Sequence, residues 1–195
     1  KLFQDDPDTD AIVMIGEIRD LETAEMAIQA ALTGHLILST LHTNDAPSAL
    51  TRLLDLGAPA YLLNATLLGV MAQRLVRTLC PHCKAASAMT PEEEEMWGAL
   101  VAPWKASQPK QVYRPVGCLD CRMTGYMGRV GLYELMLMSP EVRRLVTPVT
   151  EQARVREQAF REGMKPLRIS GAMKIAAGLT TIEEVIKVAP PAQSE

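Results

Sequence analysis

AIVMIGEIRD, residues 11–20, and GHLILSTLHTN, residues 34–44, are the stretches on which the fold turns. Residues 11–15 form a continuous apolar run that ends at Gly16 and the charged Glu17. Such a run suits a strand buried on both faces, as in a parallel sheet. Residues 36–41 read as a second buried strand, ending at His42. Between them, Asp20 is placed to cap a helix over LETAEMAIQAALTG, and Gly34 closes it. Asn44 or Asp45 then caps a helix through Leu56, stopped by Gly57. A further helix is expected over residues 61–72 and a short strand over 75–79. Strand–helix–strand–helix order implies an α/β sheet with right-handed crossovers.

The character changes after Leu79. Residues 80–126 hold four cysteines, several prolines and an acidic helix start at Thr90-Pro91-Glu92. This reads as a small inserted module with little core of its own. Residues 129–138 are strand-like, and residues 141–146, 151–162, 165–177 and 181–188 read as short helices. The final PPAQSE is expected to be a disordered tail.

Composition narrows the function. The chain has 195 residues, room for one large domain or two small ones, and 48% are apolar. Aromatics are only 4%, so Leu, Ile, Val, Met and Ala must fill the core. The formal charge is −3 and the pI about 5.7, so no global field favours nucleic acid or an anionic membrane. The longest apolar stretch, residues 58–72, is interrupted by Asn64 and Thr66 and falls short of a membrane span. No secretory signal peptide opens the sequence. A start at Lys1, directly ahead of a strand, reads as a fragment whose upstream partner is absent.

Cys80-Pro81-His82-Cys83 and Cys118-Leu119-Asp120-Cys121 are two CxxC knuckles, separated by residues 84–117. Each can place two thiolates on one tetrahedral Zn²⁺. Metal binding would offset the weak core of the insertion. Two disulfides or four unrelated thiols are the alternatives, and with no export signal the spacing favours metal. With four cysteines available, His82 is expected to face solvent or to stand behind the ligands rather than bind the metal.

In open α/β sheets, ligands bind beyond the carboxyl ends of the strands. Glu17 stands at one such end, where a carboxylate can polarise a water near a phosphate. Alone, it reads rather as a solvent-exposed loop acid. His42 and Thr43 stand at the end of the next strand, and the two ends together make a candidate phosphate-sensing site. His42 could instead only hydrogen-bond the loop, and His35 reads as a structural residue at a strand start. Arg52, Arg74 and Arg77 interrupt apolar stretches and can donate to phosphate, or form surface ion pairs.

GEIRDLETAEMAIQAALTGHLILSTLHTNDAPSALTRLLDLG is similar to the Walker B and His-box region of the type II secretion and type IV pilus ATPases. AQRLVRTLCPHC and GCLDCRMTGYMGRVGLYELM resemble the tetracysteine segment of the secretion and pilus-assembly branches. GMKPLRISGAMKIAAGLTTIEEVIKV looks like the family's C-terminal helical end. The resemblance covers residues 12–189. It implies a partial RecA-like core carrying the Walker B role at Glu17 and the His-box role at His42. Thr43 and Arg74 would contact nucleotide, and Cys80, Cys83, Cys118 and Cys121 would hold zinc. The intact parent would be a homohexameric ATPase using ATP and Mg²⁺. It would be cytoplasmic, working on inner-membrane platform proteins, with no span of its own and no nucleic-acid partner.

Two departures stand out. No GxxxxGK[ST] stretch occurs in these residues, so the phosphate cradle is missing. The opening KLFQDDPDTDAIVMIGEIRD carries Thr9-Asp10-Ala11 beyond the family's usual spacing. Up to Ile18 it instead resembles a segment of the succinyl-CoA ligase α subunit, as a fusion or recombined gene would. The expected division is residues 1–79 as ATPase core, 80–126 as zinc module, 127–189 as C-terminal strand and helices, and 190–195 as tail. Two functions follow: a partial motor ATPase, inactive alone, or a non-catalytic zinc-stabilised interaction module of the secretion machinery.

Overall fold

The computed structural model describes residues 12–104 and 106–190. The departure at residues 9–11, the rest of the opening before Ile12 and the tail from residue 191 lie outside them. In chain order the elements are β1 (Ile12–Ile15), α1 (Leu21–Leu32), β2 (Leu36–Ser39), α2 (Ala46–Asp55), α3 (Ala60–Thr66), β3 (Gly69–Leu79) and β4 (Ala85–Ser87). They continue with α4 (Pro91–Val101), β5 (Val112–Arg114), β6 (Tyr126–Leu137), α5 (Pro140–Leu145), α6 (Gln152–Arg161), α7 (Leu167–Ala176) and α8 (Ile182–Val188). They form two compact units, each discontinuous in sequence. One takes the described residues up to Val70 with Leu135–Gly163, the other Met71–Glu134 with the described residues from Met164 onward.

In the first unit β1 and β2 are parallel, in register from Ile12 opposite Leu36 to Ile15 opposite Ser39. Beyond the ladder, Ile18 N–H donates to Thr40 O at 3.0 Å and the Thr40 hydroxyl to Gly16 O at 2.5 Å. Asp20 accepts from Thr23 N–H at 2.8 Å as the α1 cap. Of the two candidate caps for α2, Asp45 takes the role, accepting from Ser48 N–H at 2.9 Å. The core joins Ile28, Leu53, Ala58 and Leu63, with Ile18, Leu41 and Leu67 packed against it. Helix α6 is tied to the start of α2: Arg156 pairs with Asp45 at 2.7 Å and the Gln152 amide donates to Ser48 Oγ at 2.6 Å.

The two apolar strands are not buried on both faces. Ile12 is 65% and Met14 76% exposed, and Leu36 and Leu38 are nearly half exposed. Among the described residues only these two strands form the parallel sheet, so half of each run has nothing to pack on. The expected helix over residues 61–72 ends at Thr66, and the strand expected at 75–79 begins at Gly69. From Met71 to Thr78 burial alternates, with Ala72 and Val76 inside and Met71 and Leu75 outside. That period of two marks a strand. Gly69 admits it, because a Cβ there would lie 2.9 Å from Met136 O.

Strand β3 pairs with β6, and in the second unit β4 pairs antiparallel with β5. Helix α4 opens with a reciprocal cap: Thr90 Oγ accepts from Glu93 N–H, and the Glu93 carboxylate accepts from Thr90 N–H at 2.8 Å. Leu79, Leu100, Leu132, Ile175 and Val185 are fully buried in this unit. Arg77 donates to the buried Glu184 at 2.6 and 2.9 Å and stacks 4.0 Å from the Tyr126 ring centre.

Candidate functional site

The register of β1 and β2 decides where the first cluster forms. Ile15 and Ser39 are level, so the residues just past both strands leave the sheet side by side. Glu17 and His42 meet there, His42 Nε2 lying 2.8 Å from Glu17 Oε1. Arg19 takes the other oxygen, its Nε and one terminal nitrogen each 2.6 Å from Glu17 Oε2. The Arg19 hydrogen bond holds the Glu17 carboxyl below the usual carboxylate range, outweighing partial burial, with His42 adding to the effect. Glu17 is therefore an ionised acceptor at neutral pH, and its side chain is 18% exposed beside largely exposed partners.

These residues line an open cleft of about 540 Å³ together with Ile18 and Arg52. Thr43 is next to His42 but is not part of that lining; its hydroxyl donates to Asp45 O at 3.2 Å. Arg74 belongs to the second unit, on β3, where it donates to Gln73 O at 2.9 Å. Arg77 is an ion-pair partner of Glu184. His35 bonds Ala30 O and the Thr33 hydroxyl at the turn before β2. Sequence reasoning does not reach Arg19. No spacing rule reaches it, because residues 17–19 lie in a loop outside the strand and helix that flank them.

The second cluster is the four cysteines. All are free thiols, and their sulfurs lie within 4.8 Å of one another. Cys118 and Cys121 are 3.8 Å apart, and Cys80–Cys118 and Cys83–Cys121 are each 3.9 Å. A disulfide needs about 2.05 Å. A tetrahedron with Zn–S bonds of about 2.3 Å has edges of about 3.8 Å, so the set fits a single metal ion such as zinc.

Backbone N–H groups converge on the sulfurs: Gly117 on Cys83, and Cys118 and Gly125 on Cys121, each at 3.2 Å. Burial pushes the Cys121 thiol up, but those two N–H groups and its neighbouring thiols pull it down to about 6. Burial pushes Cys83 up to about 11. The knuckle turns through left-handed backbone at Arg122, Met123 and Gly125. At Gly125 a Cβ would collide with Pro115, so only glycine fits there. His82 is exposed and outside the cluster.

The profile of the type II/IV secretion system protein family matches residues 1–187. The chain belongs to that family, and it carries a four-cysteine cluster that could hold a metal ion. It is 53% identical over 189 residues to the type IV pilus assembly ATPase TfpB of Acinetobacter baylyi, covering 97% of this chain and 31% of that protein. It is 48% identical over 187 residues to the type II secretion system protein HxcR of Pseudomonas aeruginosa, covering 96% of this chain and 34% of that one. The chain thus spans about a third of the length of the curated relatives it matches. In fold it resembles the pilus retraction motor PilT with bound ADP, with a TM-score of 0.57, 23% identity and coverage of 96% and 41%. The Legionella pneumophila ATPase DotB also gives 0.57, at 22% identity, with coverage of 91% and 38%. No helix among the described residues is long and apolar enough to cross a membrane.

Proposed function

We propose that this chain is the C-terminal part of a hexameric, RecA-like motor ATPase of type II secretion or type IV pilus assembly. The observation that carries the reading is the Glu17–His42 contact at the level ends of two parallel strands. A carboxylate there orients and polarises the water that attacks the terminal phosphate of ATP, Mg²⁺ travelling with the nucleotide. The imidazole, sharing that carboxylate, registers the phosphate and passes its presence to α2 through Thr43 and Asp45. Arg74 contacts nucleotide in the intact protein. Cys80, Cys83, Cys118 and Cys121 hold zinc, which crosslinks the two knuckles. The motor acts in the cytoplasm on inner-membrane platform proteins and binds no nucleic acid.

The test is Glu17→Gln and His42→Ala in the full-length protein that carries this chain. A positioned general base is worth about 10²–10⁴ in rate, so Glu17→Gln drops turnover by that order while nucleotide still binds. His42→Ala reduces or uncouples turnover with fold and zinc content intact. Near-normal turnover in Glu17→Gln assigns the base elsewhere.

One observation favours a second reading: the 195 residues contain no GxxxxGK[ST]. If no upstream P-loop accompanies the chain, it serves as a zinc-stabilised, non-catalytic interaction module. The upstream gene sequence separates the two.

A further inference from the structure

The turn between α7 and α8 rests on the segments that carry the cysteines. Two of its carbonyls are held from there: Leu79 N–H donates to Leu179 O at 2.8 Å, and Lys84 Nζ donates to Gly178 O at 2.7 Å. These donors stand immediately before Cys80 and immediately after Cys83. The buried Thr180 hydroxyl donates back to Arg77 O at 2.8 Å. Lys84 also lies over the Tyr113 ring, 4.7 Å from its centre. The same ring packs on Gly178, where a Cβ would lie 2.7 Å from it. The other knuckle reaches the turn through Tyr126, whose hydroxyl is 3.4 Å from that of Thr181. Tyr126 follows Gly125, whose N–H points at Cys121 Sγ and whose O accepts from Cys80 N–H at 2.9 Å. Both knuckles thus lead to residues 178–181.

We propose that the four-cysteine site is a latch for this turn: joining the knuckles through a metal fixes Leu79 and Lys84 against it and so seats α8. The latch rests on reading the four cysteines as a metal site. When the knuckles part, Gly178 O and Leu179 O lose their donors. Gly178, Thr180 and Thr181 are buried. Buried polar groups without partners are costly, so the turn opens with the knuckle rather than keeping its place. The coupling is reciprocal, and a seated turn tightens the hold on metal by the same factor. The competing explanation is that the Arg77–Glu184 pair alone seats α8 and the metal orders only the knuckles.

The experiment follows amide hydrogen exchange by NMR in the 195-residue chain, with zinc as the metal and a strong chelator to remove it. Elemental analysis first fixes the metal content. Chelation speeds exchange by about tenfold or more at Leu79, Gly178, Leu179 and Glu184, together with the knuckle amides of Cys118 and Gly125, while α4 and the first unit keep their protection. Lys84→Met, saturated with zinc, speeds the turn amides by about tenfold, the loss of a hydrogen bond from a charged donor, and yields its zinc to a competing chelator about tenfold more readily. Lys84→Arg recovers part of both. Turn amides that stay slow on chelation overturn the latch and leave the metal site standing. Unchanged exchange and zinc affinity in Lys84→Met do the same. Exchange that rises throughout the second unit also overturns the latch, since the metal then holds the whole unit rather than the turn. A chain that binds no metal overturns the metal reading itself, and the latch with it.

Discussion

Glu17 works through the company its two oxygens keep. Arg19 on one and His42 on the other hold it ionised where it lines the cleft. The cost is basicity: a carboxylate held below its ordinary range is a weaker proton acceptor. Arg19→Gln deletes the largest influence on that carboxyl, so Glu17 should titrate at higher pH. Carbon-detected NMR of the side-chain carboxyl in the 195-residue chain reads this directly. The same pKa in mutant and wild type would mean that Arg19 does not hold Glu17 in solution.

Elements meet at two places where one residue sets the fit. Gly171 of α7 faces Val185 of α8, and a Cβ at 171 would collide with the valine methyls. Gly171→Ala should cost about 1–3 kcal/mol through overpacking, measured by chemical denaturation. A neutral result would show that the helices separate freely. The second place is the Arg77–Glu184 pair joining β3 to α8. Arg77's hydrogen bonds, against the pull of burial, lower the Glu184 carboxyl from 4.5 to about 2. A depressed folded-state pKa adds stability above the unfolded value, and that stability is lost as pH falls through the folded one. The window is therefore pH 4.5 down to 2, and the contribution is on the order of 2 kcal/mol. Glu184→Gln should melt at lower temperature at pH 7, and the gap from wild type should close toward pH 2. A gap independent of pH would assign the loss to packing.

At the scale of the whole chain, the metal and the nucleotide make separable demands. Protein purified without added zinc should carry close to one equivalent per chain by elemental analysis. A strong chelator should lower its melting temperature, since binding energy at a structural site is folding energy. A metal-free, fully folded second unit would refute the assignment. The same preparation should hydrolyse no ATP above background, because the P-loop backbone and lysine that cradle the phosphates are absent from it. Turnover abolished by Glu17→Gln would overturn that expectation.

What the sequence determined by itself is local or patterned. The caps at Asp20 and Thr90, the β1–α1–β2 order and the two CxxC knuckles depend on neighbours a few residues away, and spacing encodes them. Glu17 and His42 were legible as strand-end residues for the same reason. The tertiary structure alone decided the rest. The change from helix to strand after Thr66 lies in an apolar run where both periods fit, and pairing with β6 selects the strand. The exposure of Ile12, Met14, Leu36 and Leu38 depends on how many strands share the sheet, which no residue in β1 or β2 records. Each compact unit draws on two stretches distant in the chain, which spacing along the sequence does not record. Arg19 and Arg52 reach the same cleft as Glu17 from a loop and a helix end, and only the packing of α2 beside the strand ends puts them there.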